Sequence, residues 1–185
     1  MTSGPIVVID ADQDSDAQPR PAVFFDRDDT LVVDTRYMHR PEDLAWRRGA
    51  REAIAMARHH GYRVFVVSNQ SGIARGFYAP DAVRAFHAAM QNSCGNGIDG
   101  LAFCPHLPDA PLAQWRAVCR CRKPAPGLLE ALMSAVPVDA AGSIMIGDRD
   151  IDVAAAEAAG VRGVLCGYGP LDQVLAAALA GQPGW

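Results

Sequence analysis

The sequence predicts an α/β fold: a three-layer, Rossmann-like arrangement with a mainly parallel sheet and helices on both faces. Three features carry this. Short apolar runs rich in Val, Ile and Phe alternate with longer stretches of helical spacing, which is the rhythm of βαβ units. The runs end on polar residues or glycine. At 185 residues, 50% hydrophobic and 21% charged, the chain has globular composition and room for one full core, but not for two ordinary domains.

Taken in order, residues 1–21 (MTSGPIVVIDADQDSDAQPRP) are rich in Asp, Gln, Ser and Pro with one four-residue apolar patch, and are expected to be a disordered extension. Residues 22–185 are expected to form a single domain. Its strands are expected at 22–25, 64–67, 101–103, 144–146 and 161–165. A helix over 51–60 stops at Gly61. Pro80 and Asp81 open another, whose apolar residues Val83, Phe86 and Met90 follow at spacings of three and four. Ala/Leu-rich segments at 126–136 and 150–159 read as two more, the second ending at Gly160.

A net charge of −4 argues against nucleic acid or an anionic membrane surface as partner. No apolar run approaches the roughly 20 residues of a membrane span, and the first residues lack the pattern of a secretory signal. Five cysteines, an odd number, do not suggest a disulfide framework, so a reducing cytoplasm is expected. A monomer acting on a small molecule is the corresponding expectation.

In open α/β sheets ligands bind beyond the carboxyl ends of the strands. The residues leaving the runs are Asp26-Arg27-Asp28, Ser68-Asn69-Gln70, Cys104-Pro105-His106 and Gly147-Asp148-Arg149. Asp26, Asp28 and Asp29 crowd three carboxylates into four positions, which costs stability unless a cation or a reaction uses them. Asp26 and Asp148 leave separate strands, with Asp152 four residues after Asp148, and such an oxygen-only set suits Mg²⁺. Ser68 and Asn69 offer a hydroxyl and an amide to phosphate oxygens. Arg122 and Lys123 put two cations ahead of an expected helix. Nucleophile, metal, donors and cations together read as phosphoryl-transfer machinery. The bland alternative is that these acids cap helices or lie on a solvated face.

A second cluster lies in "FCPHLPDAPLAQWRAVCRCRKP". Cys104, His106, Cys119 and Cys121 supply three thiolates and an imidazole, which fit a closed, structural Zn²⁺ site. A local disulfide or free thiols are the alternatives. Cysteines two apart bridge poorly, and cytosolic disulfides are uncommon.

Asp26-x-Asp28-x-Thr30, Ser68-Asn69, Lys123 and Gly147-Asp148 with Asp152 resemble, in order, the four motifs of the haloacid-dehalogenase-like (HAD) phosphohydrolases. "FFDRDDTL", "VVSNQSGIARGFY", "CRCRKPAPG" and "MIGDRDIDVAAAEAAG" are similar to the D,D-heptose 1,7-bisphosphate phosphatases of lipopolysaccharide-heptose biosynthesis, and to the related histidinol-phosphate phosphatases. "SNQSGIARG" and the short cysteine loop before "CRKP" favour the heptose branch. The resemblance implies a Mg²⁺-dependent phosphatase that removes the C7 phosphate through an aspartyl-phosphate. Asp26 would be nucleophile and Asp28 acid and base. Asp26, Asp148 and the backbone carbonyl at Asp28 would hold Mg²⁺. Ser68 and Lys123 would hold the phosphoryl group. Arg27, Asp34, Thr35, Arg36, Tyr37, Asn69, Gln70, Ser71, Arg122 and Arg149 would contact substrate. It implies zinc on the four cysteine-loop residues. Without a large insertion there is little room for a cap domain. One position departs from the family: Asp29 stands where the heptose phosphatases usually carry glycine. A catalytically silent, zinc-stabilised phosphate-binding module is the reading from another functional class.

Overall fold

The computed structural model describes residues 4–10 and 18–181. Six strands form one sheet: β1 (Ile6–Ile9), β2 (Ala22–Phe25), β3 (Arg63–Asn69), β4 (Gly100–Cys104), β5 (Ile144–Gly147) and β6 (Arg162–Leu165). The helices are α1 (Ala50–His59), α2 (Ser71–Ala74), α3 (Pro80–Ser93), α4 (Gly127–Ala135), α5 (Asp150–Ala158) and α6 (Leu171–Leu179). Strand order is β1-β4-β3-β2-β5-β6, and every pairing is parallel except β1 with β4. The chain runs outward from β2 through β3 to β4, then crosses back to lay β5 on the other side of β2. The carboxyl ends of β2 and β5 therefore flank the topological switch point, where open sheets bind ligands.

β2, β4 and β5 are buried along their whole length, as continuous apolar runs with helices on both faces require. Alternation divides them between two cores. Val23, Phe25, Val64, Val66, Leu101 and Phe103 pack against α1, α3 and α6 through Ile54, Phe86, Met90 and Leu175. Phe24, Phe65, Val67, Ala102 and Met145 face α4 and α5 through Leu128, Leu132 and Ala155. Phe24 and Phe65 stack at 5.4 Å on this second face.

The described part of residues 1–21 differs from the expected disordered extension. Ile6–Ile9 is an edge strand in antiparallel register with Phe103–Gly100. The Asp10 amide donates to Asp99 O (3.0 Å), and the Asp10 carboxylate meets the buried His87 Nε2 at 2.6 Å. Arg20 forms a parallel bridge to Val138. Four apolar residues alone are too short a signal for a strand whose partner lies some ninety positions away. Residues 1–3 and 11–17, the rest of that expectation up to β2's approach, lie outside the described residues. α6 is also additional: Pro170 precedes it, and its buried Leu171, Val174, Leu175 and Ala178 follow helical spacing. No helix among the described residues is long and apolar enough to cross a membrane.

Removing the Phe65 ring deletes one partner of the central stack, and Phe65→Ala is expected to cost about 3–5 kcal/mol, read as a lower urea midpoint at unchanged slope.

Candidate active site

Asp26 leaves β2, and its amide donates to Ile146 O of β5 (2.9 Å), which ties the two strand ends at the switch point. Its carboxylate is the acceptor of a short contact: Lys123 Nζ donates to Asp26 Oδ1 at 2.5 Å. The same ammonium lies 2.6 Å from Asp152 Oδ1 and donates to Val67 O at 3.0 Å. Lys123 and Asp152 are both buried. The Lys123 backbone is clamped by Asn69, whose Oδ1 accepts from Lys123 N (3.0 Å) while its Nδ2 donates to Lys123 O (3.1 Å). Asp152 Oδ2 accepts the Arg149 amide at 3.1 Å, capping α5. Gly147 makes room for this: a Cβ there would come 2.3 Å from Asp152 Cβ.

Asp28 sits beside this cluster in a cage of donors. Arg27 Nε donates to its Oδ1 (2.8 Å) and Gln70 Nε2 to its Oδ2 (2.8 Å), with the Ser68 hydroxyl at 3.4 Å. Gln70 Oε1 in turn accepts from Tyr78 Oη (2.7 Å).

Carboxylate oxygens of Asp26, Asp148 and Asp152 lie within 4.8 Å of one another, the span of one small cation's shell. Asp148 Oδ1 is buried with no hydrogen-bond partner among the described residues, an orphaned acceptor that a cation would satisfy. The donor set thus fits Mg²⁺. Burial pushes the Asp26 carboxyl up to about 7. Lys123 opposes that rise, and the Asp152 and Asp28 charges add to it. Burial and the charge of Asp152 likewise raise Asp148. Burial works against the Lys123 ammonium, but Asp26 and Asp152 outweigh it and hold the group protonated.

These groups open into a cavity of about 430 Å³. Asp26, Asp28, Asp34, Arg36, Tyr37, Ser68, Asn69, Gln70, Ser71, Arg122, Lys123, Asp148 and Arg149 all line it. Arg27 and Thr35 do not. Arg27 is buried beneath Asp28, donating to Met38 O (2.9 Å) and Gln70 Oε1 (3.2 Å) with its guanidinium 4.8 Å over the Phe86 ring, so it supports the loop rather than reaching a ligand. Thr35 is exposed outside the lining. Asn69, expected to bind phosphate through its amide, instead uses that amide to position Lys123. Additional lining residues are Asp29, Tyr78, Ile151 and Asp152. The i+4 spacing from Asp148 points to Asp152; nothing in the sequence pattern singles out Tyr78 or Ile151.

Asp29 occupies the left-handed region (φ 56°), the conformation glycine adopts most readily, in keeping with the glycine that the family resemblance leads one to expect here. Asp is among the residues that tolerate it, and here Asp29 Oδ1 accepts the Asp34 amide at 3.1 Å.

In the cysteine loop, the Sγ atoms of Cys104, Cys119 and Cys121 lie 3.2–3.5 Å apart, and His106 Nδ1 lies 3.7 and 3.4 Å from Cys104 and Cys121. A tetrahedral zinc with bonds of about 2.3 Å has ligand edges of about 3.8 Å, so the four atoms fit one ion. Hydrogen bonding from Cys121 lowers the Cys104 thiol to about 6, against the opposing effect of burial. Arg122 donates to His106 O (3.3 Å), linking this loop to the phosphate end of the cavity.

An acidic switch-point site fed by a buried lysine, on this sheet order, defines a HAD-like hydrolase, and a HAD-hydrolase-like family model matches residues 120–183. The fold agrees with a HAD-like phosphatase from Mesorhizobium loti at TM-score 0.81 and 30% identity, covering 89% of this chain and 80% of that one. A structure of D,D-heptose 1,7-bisphosphate phosphatase from B. bronchiseptica, complexed with magnesium and phosphate, aligns at TM-score 0.69 and 28% identity over 85% and 86% of the chains. The D-glycero-beta-D-manno-heptose-1,7-bisphosphate 7-phosphatase of Rhodopseudomonas palustris is 43% identical over 150 residues, 80% of this chain and 83% of that protein. The Escherichia coli K12 protein of that name is 37% identical over 78% of each. The chain belongs to the family of these heptose-bisphosphate phosphatases.

Two outcomes follow from this geometry. Gly147→Ala drives a methyl group into Asp152 and is expected to lower kcat about 100-fold while circular dichroism stays native. Between the ordinary carboxyl value of 3.8 and about 7, metal-free protein keeps protons on Asp26 that the unfolded chain has released, so metal-free stability falls as pH rises through this window. Mg²⁺ takes the place of those protons. Its stabilising increment, the Tm in Mg²⁺ minus the Tm in EDTA, is therefore expected to be larger at pH 7.5 than at pH 5.

Proposed function

We propose that this chain is a Mg²⁺-dependent phosphatase that hydrolyses the C7 phosphate of D-glycero-β-D-manno-heptose 1,7-bisphosphate to leave the 1-phosphate. The observation that supports it most directly is the buried Lys123 between Asp26 and Asp152, beside the orphaned oxygen of Asp148. The names of the relatives supply the substrate and its β anomer.

The C7 phosphate enters with its oxygens toward Ser68, Lys123 and Arg122. Asp26 attacks phosphorus in line, forming an acyl phosphate as the bond to the C7 oxygen breaks. Asp28, held by Arg27 and Gln70, gives its proton to that departing oxygen. It then takes a proton from the water that attacks the acyl phosphate, freeing Asp26 and inorganic phosphate. Asp26, Asp148 and Asp152, with the Asp28 carbonyl, would hold Mg²⁺, which supplies charge neutralisation to the transferring group. Lys123 opposes protonation of Asp26 and meets the developing charge. The rim, formed by Asp34, Arg36, Tyr37 and Arg149, meets the sugar and its 1-phosphate. Zinc on Cys104, His106, Cys119 and Cys121 would be structural, fixing where Arg122 points. A cytoplasmic monomer completes this reading.

The test is phosphate release from the α and β bisphosphates and from histidinol phosphate, with and without Mg²⁺. The β-heptose substrate is expected to have the highest kcat/KM, and Asp26→Asn to lose at least about 10⁴-fold in kcat. Faster turnover of histidinol phosphate, or activity surviving in Asp26→Asn, overturns it.

A further inference from the structure

At the amino ends of the strands lies a second polar cavity of about 610 Å³. β3 begins there with Arg63 and ends six residues on at Asn69, so about 20 Å of strand separates it from the acidic site. Arg20 precedes β2, Arg58 lies in the last turn of α1, and Asp99 precedes β4. All line this one cavity with Arg63.

The charges here do not balance. Arg63 is 3% exposed, and its Nε donates to Pro137 O at 3.2 Å. Neither of its terminal amino groups has an acceptor among the described residues, and Arg20 has no ion-pair partner among them. The nearby carboxylates are spent elsewhere. Asp99 takes Arg58 Nη1 on both oxygens (2.6 and 2.7 Å) and the Val64 amide on Oδ2 (2.7 Å). Asp10 is held by His87 at 2.6 Å. Burial, and then the like charge of Arg20, depress Arg63 below the ordinary arginine value. Exposed Asn92 and Asn96 add amide donors at the rim.

A guanidinium on a buried stem, its terminal amino groups open to the cavity and a second guanidinium lining the same space, gains from an anion that neutralises both. It is also the arrangement that matches a tetrahedral dianion through paired N–H groups. We propose that this cavity is a binding site for a phosphate-class dianion, held by Arg63 and Arg20 with Arg58 at its edge. It is separate from the acidic site and does not depend on the reaction assigned there.

The test is a titration of the full-length ¹⁵N-labelled protein with potassium phosphate at constant ionic strength, set against potassium chloride. Glucose 1-phosphate is run in parallel to separate free phosphate from a phosphoryl ester. Saturable shifts are expected at Arg63 Nε–H and at the amides of Val64, Asn96 and Asp99, resolved from any at Gln70 or Arg149. Arg20 is exposed, so Arg20→Gln should fold, and it is expected to weaken this binding about tenfold; Arg58→Gln should weaken it less. Shifts no larger than those with chloride overturn the proposal. So does an affinity unchanged in both variants.

Discussion

One contact organises the molecule's chemistry: the Lys123 ammonium, buried between Asp26 and Asp152. Desolvating three charges is expensive, and such clusters are poor devices for stability alone. This one survives because its surroundings hold every partner. Asn69 grips the Lys123 backbone on both sides, Val67 takes a third ammonium proton, and the bare Gly147 lets Asp152 approach. The switch point does the rest by bringing the ends of β2 and β5 together. With Asp148 alongside, the cluster remains short of positive charge, and that deficit is what a divalent cation and an incoming phosphate complete.

The parts of this design that are legible in the sequence are those governed by strand exits. Central strands read as unbroken apolar runs, so Asp26, Ser68 and Asp148 fall beyond their ends by simple inspection. Direction is harder. Arg27 stands between two cavity-facing acids, yet its side chain turns the opposite way and is covered by Phe86, which no one-dimensional pattern reveals. Asn69 sits beside Ser68, but its amide serves the backbone of a residue more than fifty positions on. β1 is illegible for a related reason, since its meaning lies wholly in a distant partner.

The loop after β2 shows how local strain is carried. Asp29, Arg36 and Tyr37 all take positive φ, and each such residue costs on the order of 1 kcal/mol. The Asp29–Asp34 hydrogen bond, the edge-on contact of Tyr37 with Phe77 (4.7 Å) and the stacking of His39 on Tyr78 (4.5 Å) hold it against the loop between α2 and α3. Two loops that would otherwise flank an open crevice are thereby joined into one wall, which suits a site over which the described residues place no separate domain.

The amino-terminal strand has a consequence beyond tidy packing. Without Ile6–Ile9, the fully buried β4 would present a row of bare amides and carbonyls along an apolar ribbon, the template on which proteins zip together into insoluble assemblies. Those four residues act as a built-in guard for that flank. Proteolytic trimming of these residues would leave the catalytic cluster intact while opening that flank to edge-to-edge association.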